Sequence, residues 1–220
     1  MVPGVGTVEV VCSRRRCPVE EADKDAIRPC LCHETGCLLP RILAVGTALP
    51  QHRLTQAAAR RFTAKAFAGA FPDLARRLPV FDHSGVDRRQ IALPLRWLAK
   101  PRGFAERNDA YQRVALSLAE RAARRCLRRA NLRARAVDHI VLVSTTGLAT
   151  PSLDAYLVNR LRLRPDVLRT PIWGLGCAGG AAGLSRAAAF ARGDPGSKVL
   201  LVAVELCSLN WQCDDRSMTN

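Results

Sequence analysis

The reading of the chain turns on Pro171-Ile-Trp-Gly-Leu-Gly-Cys-Ala-Gly-Gly-Ala-Ala-Gly-Leu-Ser-Arg-Ala-Ala-Ala-Phe-Ala-Arg192. A short apolar run enters a glycine-rich turn and an alanine-rich helical pattern leaves it. Cys177 is therefore expected where a buried strand hands over to a helix N-terminus. The dipole and unpaired N–H groups of a first helical turn favour negative charge, which makes a thiol there a candidate nucleophile. Gly176, Gly179 and Gly180 remove side chains around the sulfur and leave room for a bulky electrophile. Two other readings fit the same residues. Gly174, Gly176 and Gly179 spell G-x-G-x-x-G between a strand and a helix, and the next strand ends in an acid, Glu205, as a dinucleotide site would require. A buried cysteine in a packing turn is the third, because free cysteine behaves as a small hydrophobe.

Working outward, strand and helix patterns alternate. Arg41–Leu49 reads as a buried first strand closed by Pro50, and Thr55 opens an alanine-rich helix to about Ala68 on which Arg61 and Lys65 share a face. The stretch 72–93 is irregular with a short strand after the turn at His83, and Trp97–Gly103 reads as a loop. Asn108 or Asp109 is expected to cap a long helix to about Ala130, with Tyr111, Val114, Ala115, Leu118, Ala122 and Cys126 as its apolar stripe. Val137–Ser144 and Lys198–Cys207 are further buried strands, with His139 at the edge of the first. Thr150 as cap and Pro151 as first helical residue would start a helix over 152–163, placing hydroxyls at the carboxyl end of a strand, where open sheets bind ligands. This alternation predicts α/β layers with largely parallel strands.

The net charge of +15 invites nucleic acid, but aromatic residues make up only 5%, too few for the stacking platforms of single-strand binders. Arginines such as Arg121, Arg124, Arg125, Arg128 and Arg129 read instead as solvated helix faces. No apolar run reaches the roughly 20 residues of a membrane span. The arginines near the N-terminus follow the apolar stretch, the reverse of a secretory signal, so a cytoplasmic location is expected, with thiols rather than bridges. Residues 1–37 stand apart. Cys12, Cys17, Cys30, Cys32, Cys37 and His33 contain no C-x2-C pair, so no metal site is assigned. This segment is expected to be an extension without structure or a misread start, ahead of a domain over 38–220.

Five separated segments carry a resemblance. They are Phe81-Asp-His-Ser-Gly-Val, Phe104-Ala-Glu-Arg-Asn-Asp-Ala-Tyr, Ser144-Thr-Thr-Gly-Leu-Ala-Thr-Pro-Ser-Leu-Asp-Ala, Gly174-Leu-Gly-Cys-Ala-Gly-Gly-Ala-Ala-Gly-Leu and Val204-Glu-Leu-Cys-Ser-Leu. In order and spacing the chain resembles the type III polyketide synthases, the chalcone and stilbene synthase family. The resemblance implies the N-terminal half of a thiolase-like αβαβα fold, homodimeric in the full-length enzyme. It puts the acyl-carrying nucleophile on Cys177. It matches Thr145 and Thr146 to the starter pocket and entrance, Thr150 to the dimer interface, and Cys207 and Asn210 to positions that tune the cavity. Arg61 and Lys65 are its weaker match to a coenzyme A phosphate site. The substrates implied are acyl-CoA and malonyl-CoA, with no further cofactor. The small Cys207 resembles bacterial members that make alkylpyrones and alkylresorcinols from long acyl starters. The family's catalytic His and Asn have no match before Asn220, so this chain is expected to be a truncated half, inactive alone: it makes no polyketide and acylates slowly if at all.

Overall fold

The computed structural model describes residues 6–11, 15–16 and 38–215. Its centre is a five-stranded mixed sheet in the order β4-β1-β9-β7-β8. Here β1 is Gly6–Val11, β4 Ile42–Ala48, β7 His139–Val143, β8 Leu168–Ile172 and β9 Val199–Ala203. β7 runs parallel to β8 and β9, and β1 runs antiparallel to both β4 and β9. Two small ladders lie outside it, β2 (Arg15–Arg16) with β3 (Leu38–Leu39), and β5 (His52–Thr55) with β6 (Arg88–Ile91).

Alternation along β7 and β9 sorts side chains to two faces. Ile140, Leu142, Leu200 and Val202 turn toward the 26-residue helix α5 (Phe104–Arg129) and α6 (Leu153–Leu161). Val141, Val143, Val199 and Leu201 meet Ala187 and Ala191 of α7 (Gly179–Gly193). The result is one three-layer αβα unit. α5 buries Tyr111, Ala115, Leu118, Ala122 and Cys126, five of the six stripe residues, and lies so close to β4 that a Cβ on Gly46 would stand 2.3 Å from the Ala122 carbonyl oxygen. α7 covers β7 and β9 but leaves β4 bare on that side, where Ile42 and Val45 are exposed.

Several expectations need correcting. The first strand is half-exposed because it lies at the sheet margin. Gly6–Val11, expected to lack structure, forms a strand inside the sheet. The cysteines of that extension and His33 lie outside the described residues. The stretch 72–93 holds two short helices, α2 (Leu74–Arg77) and α3 (Val80–His83), and a third, α4 (Leu95–Leu98), takes in the first two residues of the expected loop Trp97–Gly103. α5 begins at Phe104 after Gly103, so Asn108 is an interior residue and not its cap. Ser152 occupies the N-cap position of α6, preceded by a cis Thr150–Pro151 peptide, so Pro151 is outside the helix.

The arginines of α5 are not a simple solvated face. Arg121, Arg125 and Arg129, one helical turn apart, donate to the carbonyls of Leu49, Thr47 and Val45 at 2.8, 2.8 and 2.7 Å. They close the outer edge of β4 with charge, which blocks pairing with another chain. Of the expectations for α1 (Gln56–Ala66), the cap holds: Thr55 Oγ1 accepts from the Ala58 amide at 3.2 Å.

Candidate active site

Three parallel strands deliver the candidate residues to one end of the sheet. β7 ends one residue before Ser144-Thr145-Thr146, β8 ends at Ile172 and leads into Cys177, and β9 ends at Ala203 just before Glu205 and Cys207. Because these strands share direction, their carboxyl ends lie together.

Cys177 lies in a 3-10 turn, Gly176–Ala178, that runs directly into α7, and it is exposed. The chain reaches this turn only by passing through positive φ at Gly174 (85°) and Gly176 (53°), which an L side chain resists. Gly179 serves packing, since a Cβ there would stand 2.6 Å from Cγ1 of Val143, whereas at Gly180 it would meet open space. The amides of Ala178 and Gly179 donate to the carbonyls of Leu175 and Gly176, which removes two amides that could have faced an oxyanion. Among the described residues, Cys177 makes no hydrogen bond to a histidine, and no group of His, Cys, Asp and Glu could hold a metal ion. His139, expected at a strand edge, is buried in the sheet interior, stacked on Phe190 with ring centroids 4.1 Å apart and 2.8 Å from Thr170 Oγ1. It begins β7 and so lies at the opposite end from Cys177.

The threonine loop is held from two sides. Glu205 accepts from the Thr145 amide through Oε1 at 2.8 Å and from the Thr146 amide through Oε2 at 3.0 Å. Thr146 Oγ1 in turn accepts from the Leu206 amide at 2.8 Å. From α5, Tyr111 donates to Ser144 Oγ at 2.6 Å, and Ser144 donates to the Val204 carbonyl at 2.6 Å. Asn108 brackets Leu148, accepting from its amide at 2.8 Å and donating to its carbonyl at 3.0 Å. Burial and the Glu205 charge push the Tyr111 phenol up to about 12, with the Ser144 hydrogen bond opposing them. The sequence offered Glu205 a role only as the acid that a dinucleotide site would require. Its position directly after a buried strand, with hydroxyls after the neighbouring strand, was the available signal for its role as a clamp.

Cys207 is half-buried in the 3-10 turn Cys207–Asn210, and Asn210 is exposed. Burial first, and the Glu205 carboxylate second, push the Cys207 thiol up, with Cys177 contributing in the same direction, so the two thiols share this end of the sheet. Arg61 and Lys65 lie on exposed positions of α1, and Arg61 lines a groove with Arg60 and Asp82. Cys177 is not among the residues that line that groove. Thr150 is exposed. The dinucleotide reading fails: both oxygens of Glu205 are taken by loop amides, and the packing-cysteine reading fails because Cys177 is exposed.

A half-sized αβα unit carrying an exposed cysteine between a parallel strand and its helix defines a thiolase-like protein. Residues 36–219 match the chalcone and stilbene synthase N-terminal domain, and the chain belongs to that family. It is 41% identical over 204 residues to a 1,3,6,8-tetrahydroxynaphthalene synthase of Streptomyces peucetius, covering 90% of this chain and 53% of the relative. It is 38% identical over 184 residues to a putative chalcone synthase of Bacillus subtilis, covering 81% and 50%. Among solved structures, the 1,3,6,8-tetrahydroxynaphthalene synthase of Streptomyces coelicolor, described as a bacterial type III polyketide synthase, superposes with a TM-score of 0.74 at 34% identity, over 77% of this chain and 49% of that one. The chain thus spans about half the length of these relatives. No helix among the described residues is long and apolar enough to cross a membrane.

Proposed function

We propose that this chain is the acyl-loading half of a type III polyketide synthase, with Cys177 as the nucleophile. The observation that carries this reading is the exposed Cys177 at a strand-to-helix turn, beside the clamped Thr145-Thr146 loop and Cys207. The Cys177 sulfur attacks the thioester carbonyl of an acyl-CoA. A carbon–sulfur bond forms to Cys177, the bond to coenzyme A breaks, and the coenzyme A thiolate leaves and takes up a proton. In the complete enzyme malonyl-CoA loses carbon dioxide, and the resulting enolate attacks the Cys-bound acyl carbon, adding two carbons and freeing Cys177. Thr145, Thr146, Cys207 and Asn210 would line the starter cavity, with the small Cys207 favouring a long acyl chain. Arg61 and Lys65 remain the proposed contacts for coenzyme A phosphates, and the enzyme is proposed to be a cytoplasmic homodimer. Exposed Trp173 and Leu148, which line one groove, and exposed Leu175, two residues before Cys177, support a cover for this end in the whole enzyme, because exposed apolar surface marks interaction sites.

The test is intact-mass and peptide mapping after incubation with dodecanoyl-CoA. One acyl group on Cys177, absent from Cys177→Ser, is the expected result, with no pyrone or resorcinol released when malonyl-CoA is added to the 220-residue chain. Acylation that persists in Cys177→Ser, or none at all in the parent, refutes the assignment.

A further inference from the structure

Three arginines far from the candidate active site converge without a counter-charge. The 3-10 turn Ala134–Ala136 and the end of α6 enclose an open groove of about 570 Å3, a size common among small-molecule sites. Its floor is apolar, formed by Ala134, Ala136 and the buried Leu161. The other residues that line it are Arg133, Arg135 and Arg162, all exposed, with no acid beside them in the groove. The surrounding arginines are matched. Arg164 pairs with Asp138 and Asp166 at 3.0 Å each, Arg124 and Arg160 share Glu120 at 2.9 and 3.3 Å, and Arg129 donates to the Val45 carbonyl. The guanidinium groups of Arg133, Arg135 and Arg162 have no hydrogen-bond or ion-pair partner among the described residues. Three like charges around one groove repel one another, and an anion relieves that repulsion.

The backbone of Arg162 carries a second sign. Two non-glycine residues take positive φ, Asn131 (53°) just after α5 and Arg162 (57°) at the end of α6. Asparagine adopts this left-handed conformation readily, whereas arginine does so at a cost. The conformation at Arg162 is fixed by its own amide, which donates to the Asn159 carbonyl at 3.2 Å, and by the Leu163 amide, which donates to Val158 at 2.9 Å. The dipole of α6 does not account for a cation there, since Arg160 already stands in the last turn. The turn 134–136 leads into the amino end of β7, and Arg162 into that of β8, whereas Cys177 follows the carboxyl end of β8. The length of β8 alone, roughly 13 Å, keeps a small anion in the groove clear of the Cys177 sulfur.

The chemistry of the donors selects the ligand. Guanidinium groups fork onto phosphate oxygens through paired N–H donors. A single phosphate monoester carries about −1.5 to −2 at neutral pH, so three fixed charges are matched by two linked phosphates and not by one. We propose that Arg133, Arg135 and Arg162 form a binding site for a ligand with two or more linked phosphate groups, at the end of the sheet opposite Cys177. This inference stands apart from the acyl-transfer reading and survives its failure.

The test is calorimetric titration of the full chain with pyrophosphate, at an ionic strength held near ~0.15 M so that unspecific attraction is screened. One saturable site is expected. Arg133→Gln, Arg135→Gln and Arg162→Gly should each weaken it about tenfold, the worth of one hydrogen-bonded charge contact. Arg186→Gln, which removes an exposed charge from α7 on the other face of the sheet, should change affinity by less than about twofold. Arg162→Gly also frees the left-handed position, so its Tm should equal or exceed that of the parent. ADP in place of pyrophosphate distinguishes the sources. Tighter binding of ADP assigns a nucleotide with its nucleoside on the apolar floor, and equal or weaker binding assigns a free oligophosphate. No saturable binding of pyrophosphate, a loss in Arg186→Gln as large as in the groove variants, or groove variants that bind like the parent overturns the site.

Discussion

Replacing Glu205 with glutamine tests how the threonine loop is held. The carboxylate accepts from two consecutive amides, Thr145 and Thr146, at 2.8 and 3.0 Å. Hydrogen bonds to a charged acceptor contribute roughly 1.5–3 kcal/mol each, and the half-exposed position of Glu205 argues for the lower end. Glutamine keeps one neutral acceptor, worth about 1 kcal/mol, and turns an NH2 toward the other amide, so a net loss of about 2–3 kcal/mol follows. At roughly 2–4 °C per kcal/mol for a chain of this size, Tm should fall by about 4–12 °C in a calorimetric scan. The same change removes a negative charge that raises the Cys207 thiol and the Tyr111 phenol. The pH profile of Cys207 alkylation, followed by peptide mapping, should therefore move to lower pH, while burial keeps part of the elevation. A Glu205→Gln protein with unchanged Tm and an unmoved Cys207 profile would refute the clamp.

Two further outcomes concern the fold. Gly46→Ala puts a methyl 2.3 Å from the Ala122 carbonyl oxygen and 2.6 Å from the Cys126 amide nitrogen. Because both atoms are backbone, relief requires separating β4 from α5, and a loss of more than about 3 kcal/mol in urea unfolding is expected. His139 is held below its ordinary value of 6.5 by burial. The unfolded chain takes up a proton as pH falls through about 6.5 while the folded one resists it. The stability contribution is therefore full above that pH and is lost as pH drops toward the folded-state value. His139→Gln should flatten the dependence of urea midpoint on pH between roughly 7.5 and 5 relative to the parent.

Local chemistry made the Cys177 turn legible from the sequence. An apolar run, glycines that permit positive φ, and an alanine-rich helix leave few conformations open, so strand, turn and helix could be read in place. The stripe of α5 was equally plain, because burying one face of a long helix requires a 3.6-residue period. Arg121, Arg125 and Arg129 were misread for a related reason. Periodicity shows which residues lie away from the core, but not that β4 would present three carbonyls beside them. Asn108 was likewise taken for a cap, because its partner, Leu148, is distant in sequence.

The sequence alone determined the αβ alternation, the nucleophile candidate and the family, since the first two rest on residues close together along the chain and the third on the order and spacing of short local motifs. Tertiary structure was needed for the Glu205 clamp, the arginine-sealed edge of β4 and the place of Gly6–Val11 between β4 and β9. These depend on which ladder groups and carboxylates are left facing each other once the strands have been ordered. That order is fixed by long-range packing, and no local pattern encodes it.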